Sequence, residues 1–195
     1  TVENPMAYRY RSYKQIATAG GLEEPMHIHS DHYETNTAYS RASYTKGALF
    51  LHQLGYIIGQ ETLNRSLKTF YRAWQFKHPT GKDFIRIAEE ESGMVLDWYY
   101  EYWVTTTKTI DYTIQSVDAL GEQTEITIER TDLMPMPIEV EVTSTDSSST
   151  VYYIPLEIMW GEKENEYSEK EWVQKDDWKW VFAEYTLTID QPKSD

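Results

Sequence analysis

Two tyrosines, Tyr39 and Tyr44, stand in the stretch NTAYSRASYTKGALFLHQLGYIIG that covers residues 36–59. A tyrosine phenol ordinarily titrates near 10, so at neutral pH it keeps its proton and can donate a hydrogen bond to an oxyanion developing on a carbonyl. Such a donor is worth roughly 100- to 1000-fold in rate. The chain holds 16 tyrosines in 195 residues, however, and a ring at the start of a helix ordinarily packs its body and wets its hydroxyl. Residue type alone leaves packing as the default for both.

The element that must position them is a helix. Leu51, Leu54 and Ile58, flanked by Phe50 and Ile57, recur at three and four residues, the period of an apolar helix face. The spacing predicts a helix from about Ser43 to Ile58, stopped by Gly59. Tyr44 then belongs to its first turn and Tyr39 to the loop before it, near unpaired N–H groups and the positive end of the helix dipole. Lys46 reads as a solvated helix position and Gly47 as a close-packing one, and neither is assigned chemistry. Upstream, residues 8–21 read as a helix ended by Gly20 and Gly21, and 22–37 as an ordered loop. Downstream, a helix over 61–76 carries Leu63, Leu67, Phe70 and Trp74 on one face and ends before Pro79. A third helix is opened by a Thr80/Asp83 capping pattern and closed by Gly93. It turns Phe84, Ile87 and Ala88 inward and Glu89, Glu90 and Glu91 to solvent. A fourth covers about Leu96 to Val104.

Three blocks in this half, YTKGALFLHQLGYIIG, FYRAWQFKHPTGKDFIRIAEEESG and LDWYYEYW, resemble the zinc aminopeptidases of the gluzincin type, the alanyl aminopeptidase and leukotriene hydrolase family. In that family a tyrosine opening a Y-x-K-G-A sequence stabilises the transition state. Tyr44, Lys46, Gly47 and Ala48 match that element, and Asp83, Phe84, Glu89, Glu90, Ser92 and Gly93 match a second. Tyr39 is similar to a further active-site tyrosine found in some members. The resemblance implies that a zinc-bound water attacks the first peptide carbonyl while Tyr44 steadies the oxyanion and Tyr39 assists or lines the pocket.

The departures are equally specific. The family holds zinc through H-E-x-x-H and a Glu on the next helix, with the motif's Glu as general base. None of His27, His29, His32, His52 and His78 is followed by Glu, and the family's Gly-x-Met-Glu-Asn segment is absent. The expectation is therefore a C-terminal fragment lacking the zinc motif: a parent that uses zinc, and a segment that binds none and is inactive alone. His27, His29 and His32, with Asp31 between them, are the kind of cluster a transition metal occupies opportunistically, but their spacing fits neither a helical ligand pair nor a structural zinc box. His52 inside a helix and His78 just past one read as packing or dipole contacts.

Beyond Val104 the period changes from 3.6 to 2. Alternation in IDYTIQSV, TEITIER, IEVEVTS, YYIPLEIMW and YTLTID, with turns at Gly121, 146–149 and Gly161, predicts six or seven short strands. The fold class is thus α+β: a helical bundle over 1–105, followed over 106–195 by an antiparallel β-sandwich of immunoglobulin-like type. The MP leading into a strand resembles the sandwich that follows the bundle in part of the family. Pro135 and Pro137 confine that strand to an edge or place them at its entry. The charged run over 163–180 reads as a hairpin or loop.

Charge separates the halves. Residues 1–105 carry 11 Lys and Arg against 12 Asp and Glu, whereas 106–195 carry 7 against 20. An acidic half repels nucleic acid and anionic membrane. Cysteine is absent, which removes disulfides and thiol nucleophiles. No apolar run reaches the roughly 18 residues of a spanning helix, and no signal-peptide pattern opens the sequence.

The primary expectation is the tyrosine-bearing portion of a zinc-dependent metallo-aminopeptidase acting on the N-termini of peptides. Two alternatives stand beside it. One is a non-catalytic relative serving as a protein-interaction scaffold. The other is a carbohydrate- or peptide-binding surface in which Trp172, Trp178 and Trp180 form an exposed platform, against the default that alternate tryptophans are half-buried core residues.

Overall fold

The computed structural model describes residues 4–193. The chain divides into two units, one ending at Lys108 and the other beginning at Thr109.

The first unit is helical. It comprises α1 (Ala7–Ala17), a 3-10 turn at Ser30–His32, α2 (Asn36–Ser40), a π-helical segment at Arg41–Lys46, α3 (Gly47–Ile58), α4 (Gln60–Trp74), α5 (Gly81–Ser92) and α6 (Asp97–Tyr100) with a second π segment at Glu101–Thr105. The tyrosine helix thus begins seven residues earlier than its apolar period indicates. The Thr35 side chain accepts from the Ala38 N–H and closes the true N-terminus. Tyr39 is therefore inside α2 rather than in a loop, and Tyr44 lies in the π segment rather than in a first turn.

Leu49, Leu54 and Ile57 are fully buried, with Leu63, Ile85, Ile87, Ala88 and Leu96 around them. Each such leucine or isoleucine side chain contributes about 1.5–3 kcal/mol by leaving water. The Tyr99 hydroxyl donates to Phe50 O at 2.7 Å and the two rings stack at 5.1 Å, so a buried phenol is satisfied by the backbone of the tyrosine helix. Gly59 joins α3 to α4 with no intervening loop at φ 85°, a conformation that disfavours any side chain. Helix α4 stops at Trp74, four residues before His78. Its Leu67 is exposed, while Phe70 meets Phe84 of α5 edge-on at 5.4 Å.

The acidic end of α5 departs from expectation. Glu89 accepts from the Leu96 N–H at 2.7 Å, and Glu91 takes the Thr69 hydroxyl at 2.7 Å and Arg65 at 3.4 Å. Only Glu90 of the three is exposed. The other two fasten the turn after α5 and the α4–α5 contact.

The second unit contains β1 (Tyr112–Leu120), β2 (Gln123–Arg130), β3 (Ile138–Thr143), β4 (Ser149–Ile154), β5 (Glu171–Gln174) and β6 (Glu184–Ile189). They form two three-stranded sheets, ordered β1-β2-β6 and β3-β4-β5. The first is antiparallel, and a register shift between Ile114 and Ser116 marks a bulge in β1. In the second, β4 and β5 run parallel, so a wholly antiparallel sandwich is not what forms. The reason lies in the charged run: Trp172 of β5 lays its ring on Tyr153 of β4 at 5.0 Å, and that stack sets a strand where charge alone indicates a loop. Pro135 and Pro137 precede β3, an edge strand, as their missing N–H groups require. Val117, Ile126, Val142 and Ile189, drawn from both sheets, line a cavity of about 510 Å³.

Trp178 is the centre of this core. It is 2% exposed, donates its indole N–H to Phe182 O at 3.1 Å, and sits between Tyr112 and Tyr185. Trp172 and Trp180 are half-buried. An exposed three-tryptophan platform is therefore corrected to a core built on one of the three.

The Thr80/Asp83 capping box is present: Asp83 Oδ2 accepts from the Thr80 N–H and hydroxyl, each at 2.7 Å. These bonds, the Thr80 hydroxyl first, hold the Asp83 carboxyl below its usual 3.8. A lowered folded-state value adds stability that is complete above the unfolded value and is lost as pH falls through the folded one. Asp83→Asn, which imitates the protonated acid, should melt below the wild type at neutral pH. Thermal melts from pH 7 to pH 2 should show the gap closing below about 3.8; a gap constant with pH would refute the assignment.

Candidate functional site

The two tyrosines come together because the helix that carries them is widened between them. In a regular α-helix, residues five apart lie about 140° apart around the axis and do not share a face. A π turn closes from i to i+5, which brings such residues towards vertical alignment. Between Arg41 and Lys46 the helix takes this form, and the rings of Tyr39 and Tyr44 meet edge-to-face with centroids 6.3 Å apart. Tyr33 extends the row, meeting Tyr39 at 5.6 Å. Its hydroxyl donates to Pro25 O at 2.9 Å and lies 3.2 Å from Met26 O. Burial first, then the Glu24 charge, raises the Tyr33 phenol above its usual 10, which suits an anchor that keeps its proton.

Tyr44 is 62% exposed. The outer end of this row therefore presents a phenol to solvent, while the inner end is fixed to the backbone of the preceding loop. Such a phenol can reach a carbonyl oxygen of a bound substrate and donate to it. A cavity of about 410 Å³ elsewhere in the unit is lined by Met26, His27, Phe50, Gly81, Phe84, Tyr100 and Val104; neither Tyr39 nor Tyr44 contributes to it.

The inner side of the same turn holds the residue that sequence reasoning misplaced. Lys46 is not solvated. It is 1% exposed, with its Nζ 2.7 Å from Glu23 Oε1 and donating to Thr106 O at 2.9 Å. The Tyr13 and Trp103 rings each stand 5.9 Å away, at the range where a ring face attracts a cation. Burial pushes the ammonium below its usual 10.5 and Glu23 pulls it back. The signal was legible: Lys46 precedes Leu49, Phe50, Leu54 and Ile57 at helical spacing, on the apolar stripe. Gly47 is less tightly placed than expected, since a Cβ there would meet Met26 at an ordinary 3.8 Å.

Two further cations tie the segment to α1, one from each side of the contact. Arg41 donates to the Ser12 hydroxyl, and Arg9 reaches Tyr44 O at 3.5 Å.

The histidines are dispersed in role. His27 Nδ1 lies 3.2 Å from Val104 O, His29 accepts the Asp31 N–H, and His29 and His32 have ring centroids 5.4 Å apart. His52 meets the Tyr10 ring edge. Among the described residues no three His, Cys, Asp or Glu side chains converge where a metal ion could be held. The residues present do not by themselves fit a zinc centre. Among the described residues no helix is long and apolar enough to cross a membrane.

Removing one partner of a buried ion pair leaves the other charge uncompensated, at about 3–5 kcal/mol, while replacing both with apolar groups is far milder. Lys46→Met should therefore destabilise the helical unit by about 3 kcal/mol or more, with Lys46→Met/Glu23→Leu recovering most of the loss. Urea unfolding of the four members of this cycle would measure it. A single-variant loss below 1 kcal/mol would show that the pair is not the anchor described.

Known proteins place the chain in context. The model of the peptidase family M1 domain matches residues 4–103. A probable aminopeptidase 1 from Sulfurisphaera tokodaii is 23% identical over 133 residues, which cover 68% of this chain. The aligned residues span 15% of the length of that protein.

Proposed function

This chain belongs to peptidase family M1, and on that footing we propose that it supplies the oxyanion-stabilising tyrosine of a metallo-aminopeptidase that removes N-terminal residues from peptides. Tyr44 is the donor. Its hydroxyl hydrogen-bonds the oxygen of the first peptide carbonyl as that oxygen gains negative charge, and Tyr39 holds the Tyr44 ring edge-on and lines the approach. The observation that carries this reading is the exposed Tyr44 phenol at the end of the tyrosine row, set there by a π turn in the middle of the family-matched region. Segments of this kind recur at functional sites.

The donor acts selectively on the transition state. A neutral carbonyl gains little from a phenol that an oxyanion gains much from, so the effect falls on turnover rather than on binding. The zinc expected of such an enzyme supplies Lewis acidity when bound. Among the described residues no His, Cys, Asp or Glu cluster would hold it, and Tyr44 acts directly on the substrate oxygen.

In the whole enzyme that includes this sequence, Tyr44→Phe should lower kcat by about 100- to 1000-fold, with KM and zinc content unchanged. Undiminished kcat would remove Tyr44 from the mechanism. The chain alone, purified and supplied with zinc, should leave an aminoacyl reporter uncleaved; turnover abolished by a chelator would overturn the view that its metal ligands lie elsewhere.

A further inference from the structure

Tyr44 and Lys46 are two residues apart on one turn and point to opposite sides of it. One is 62% exposed and the other 1%. The Tyr44 side chain is held through the edge of Tyr39 on one side, so the placement of its hydroxyl depends on where its backbone is fixed. That backbone lies in a π segment, whose wider turn needs outside support because continuous α-helical bonding does not define it. Arg9 and Arg41 join the segment to α1, and the buried part of the support comes from beneath. Lys46, the last residue of the segment, reaches Glu23 at 2.7 Å and Thr106 O at 2.9 Å. Thr106 directly follows the second π segment, Glu101–Thr105, whose Trp103 ring faces the same ammonium. Both widened turns therefore close around one cation.

Stability alone gives no reason for an ion pair here. A buried pair is often no more stabilising than apolar residues of the same volume, and the surrounding stripe is apolar. What a pair adds over a hydrophobic contact is fixed direction and distance. From this geometry we propose that Lys46, clamped by Glu23, is a positioning residue that sets where Tyr44 presents its hydroxyl, so that the buried ion pair acts on turnover through Tyr44. The proposal rests on the reading of Tyr44 as the oxyanion donor. Lys46 itself touches no reacting atom.

A displacement of the donor by about 1 Å is enough to cost on the order of 100-fold in rate. The test is a double-mutant cycle in the whole enzyme, reading kcat and KM separately. Glu23→Gln, which keeps the volume and an acceptor for the ammonium, and Lys46→Met should each lower kcat by about 10- to 100-fold with KM unchanged. Built into Tyr44→Phe, the same changes should cost nothing further, because the group they position is gone. An equal loss in both backgrounds would mean a general structural effect and overturn the proposal. No loss from Glu23→Gln in a background where Tyr44→Phe does lose activity would overturn it too, and would leave the reading of Tyr44 standing. If Tyr44→Phe itself has no effect, the donor reading fails and the positioning role fails with it. Should Lys46→Met not fold, Glu23→Gln carries the cycle.

Discussion

A lysine ammonium enclosed in a helical bundle is the constraint to which the first unit answers. Taking such a charge out of water costs several kcal/mol even after relaxation. The cost is offset only where an opposite charge, a carbonyl and polarisable faces are assembled around it. Glu23, Thr106 O, Tyr13 and Trp103 do this for Lys46. They come from α1, the loop after it, the second π segment and the residue just past that segment. Elements distant in sequence are thereby required to meet at one point, and the helix carrying Tyr44 is fixed by that meeting.

The tyrosine row occupies the side of the helix that this anchor leaves open. An anchored inner face and a widened turn put two tyrosines five residues apart on one side, where a third, Tyr33, ties the row to the preceding loop. The outermost phenol is then both exposed and located. Those are the two properties required of a donor that must meet charge forming on a substrate without reorganising at the moment of reaction. The match to the M1 peptidase domain over residues 4–103 covers the tyrosine row, the widened turn and the Lys46–Glu23 pair.

The second unit uses a related device in a different setting. Lys163 is buried against Glu139 at 2.6 Å, with the Tyr153 and Trp172 rings each 5.8 Å from its ammonium. This contact draws the loop after β4 onto the β3-β4-β5 sheet and helps explain how β5 forms within an otherwise solvated charged run. In both units a lysine that composition counts as surface charge is a buried organising centre.

Spacing by itself determined a good deal. The 3.6 period over 50–58, the Thr80/Asp83 cap, Gly93 and the change to period 2 after Val104 identify helices and strands because they report which side of each element is apolar, a local property. Residue type and spacing left packing as the default for Tyr44, and only the resemblance carried by the Y-T-K-G-A block makes it a candidate donor. Tertiary structure decided the rest. No local rule says that a helix widens between residues 41 and 46, that the carboxylate meeting Lys46 comes from 23 residues earlier, that Glu89 and Glu91 serve as acceptors, or that β5 pairs parallel to β4. Each depends on partners brought from elsewhere in the chain. A buried charge or a widened turn is stable only once those partners surround it, and that balance exists only in the folded chain.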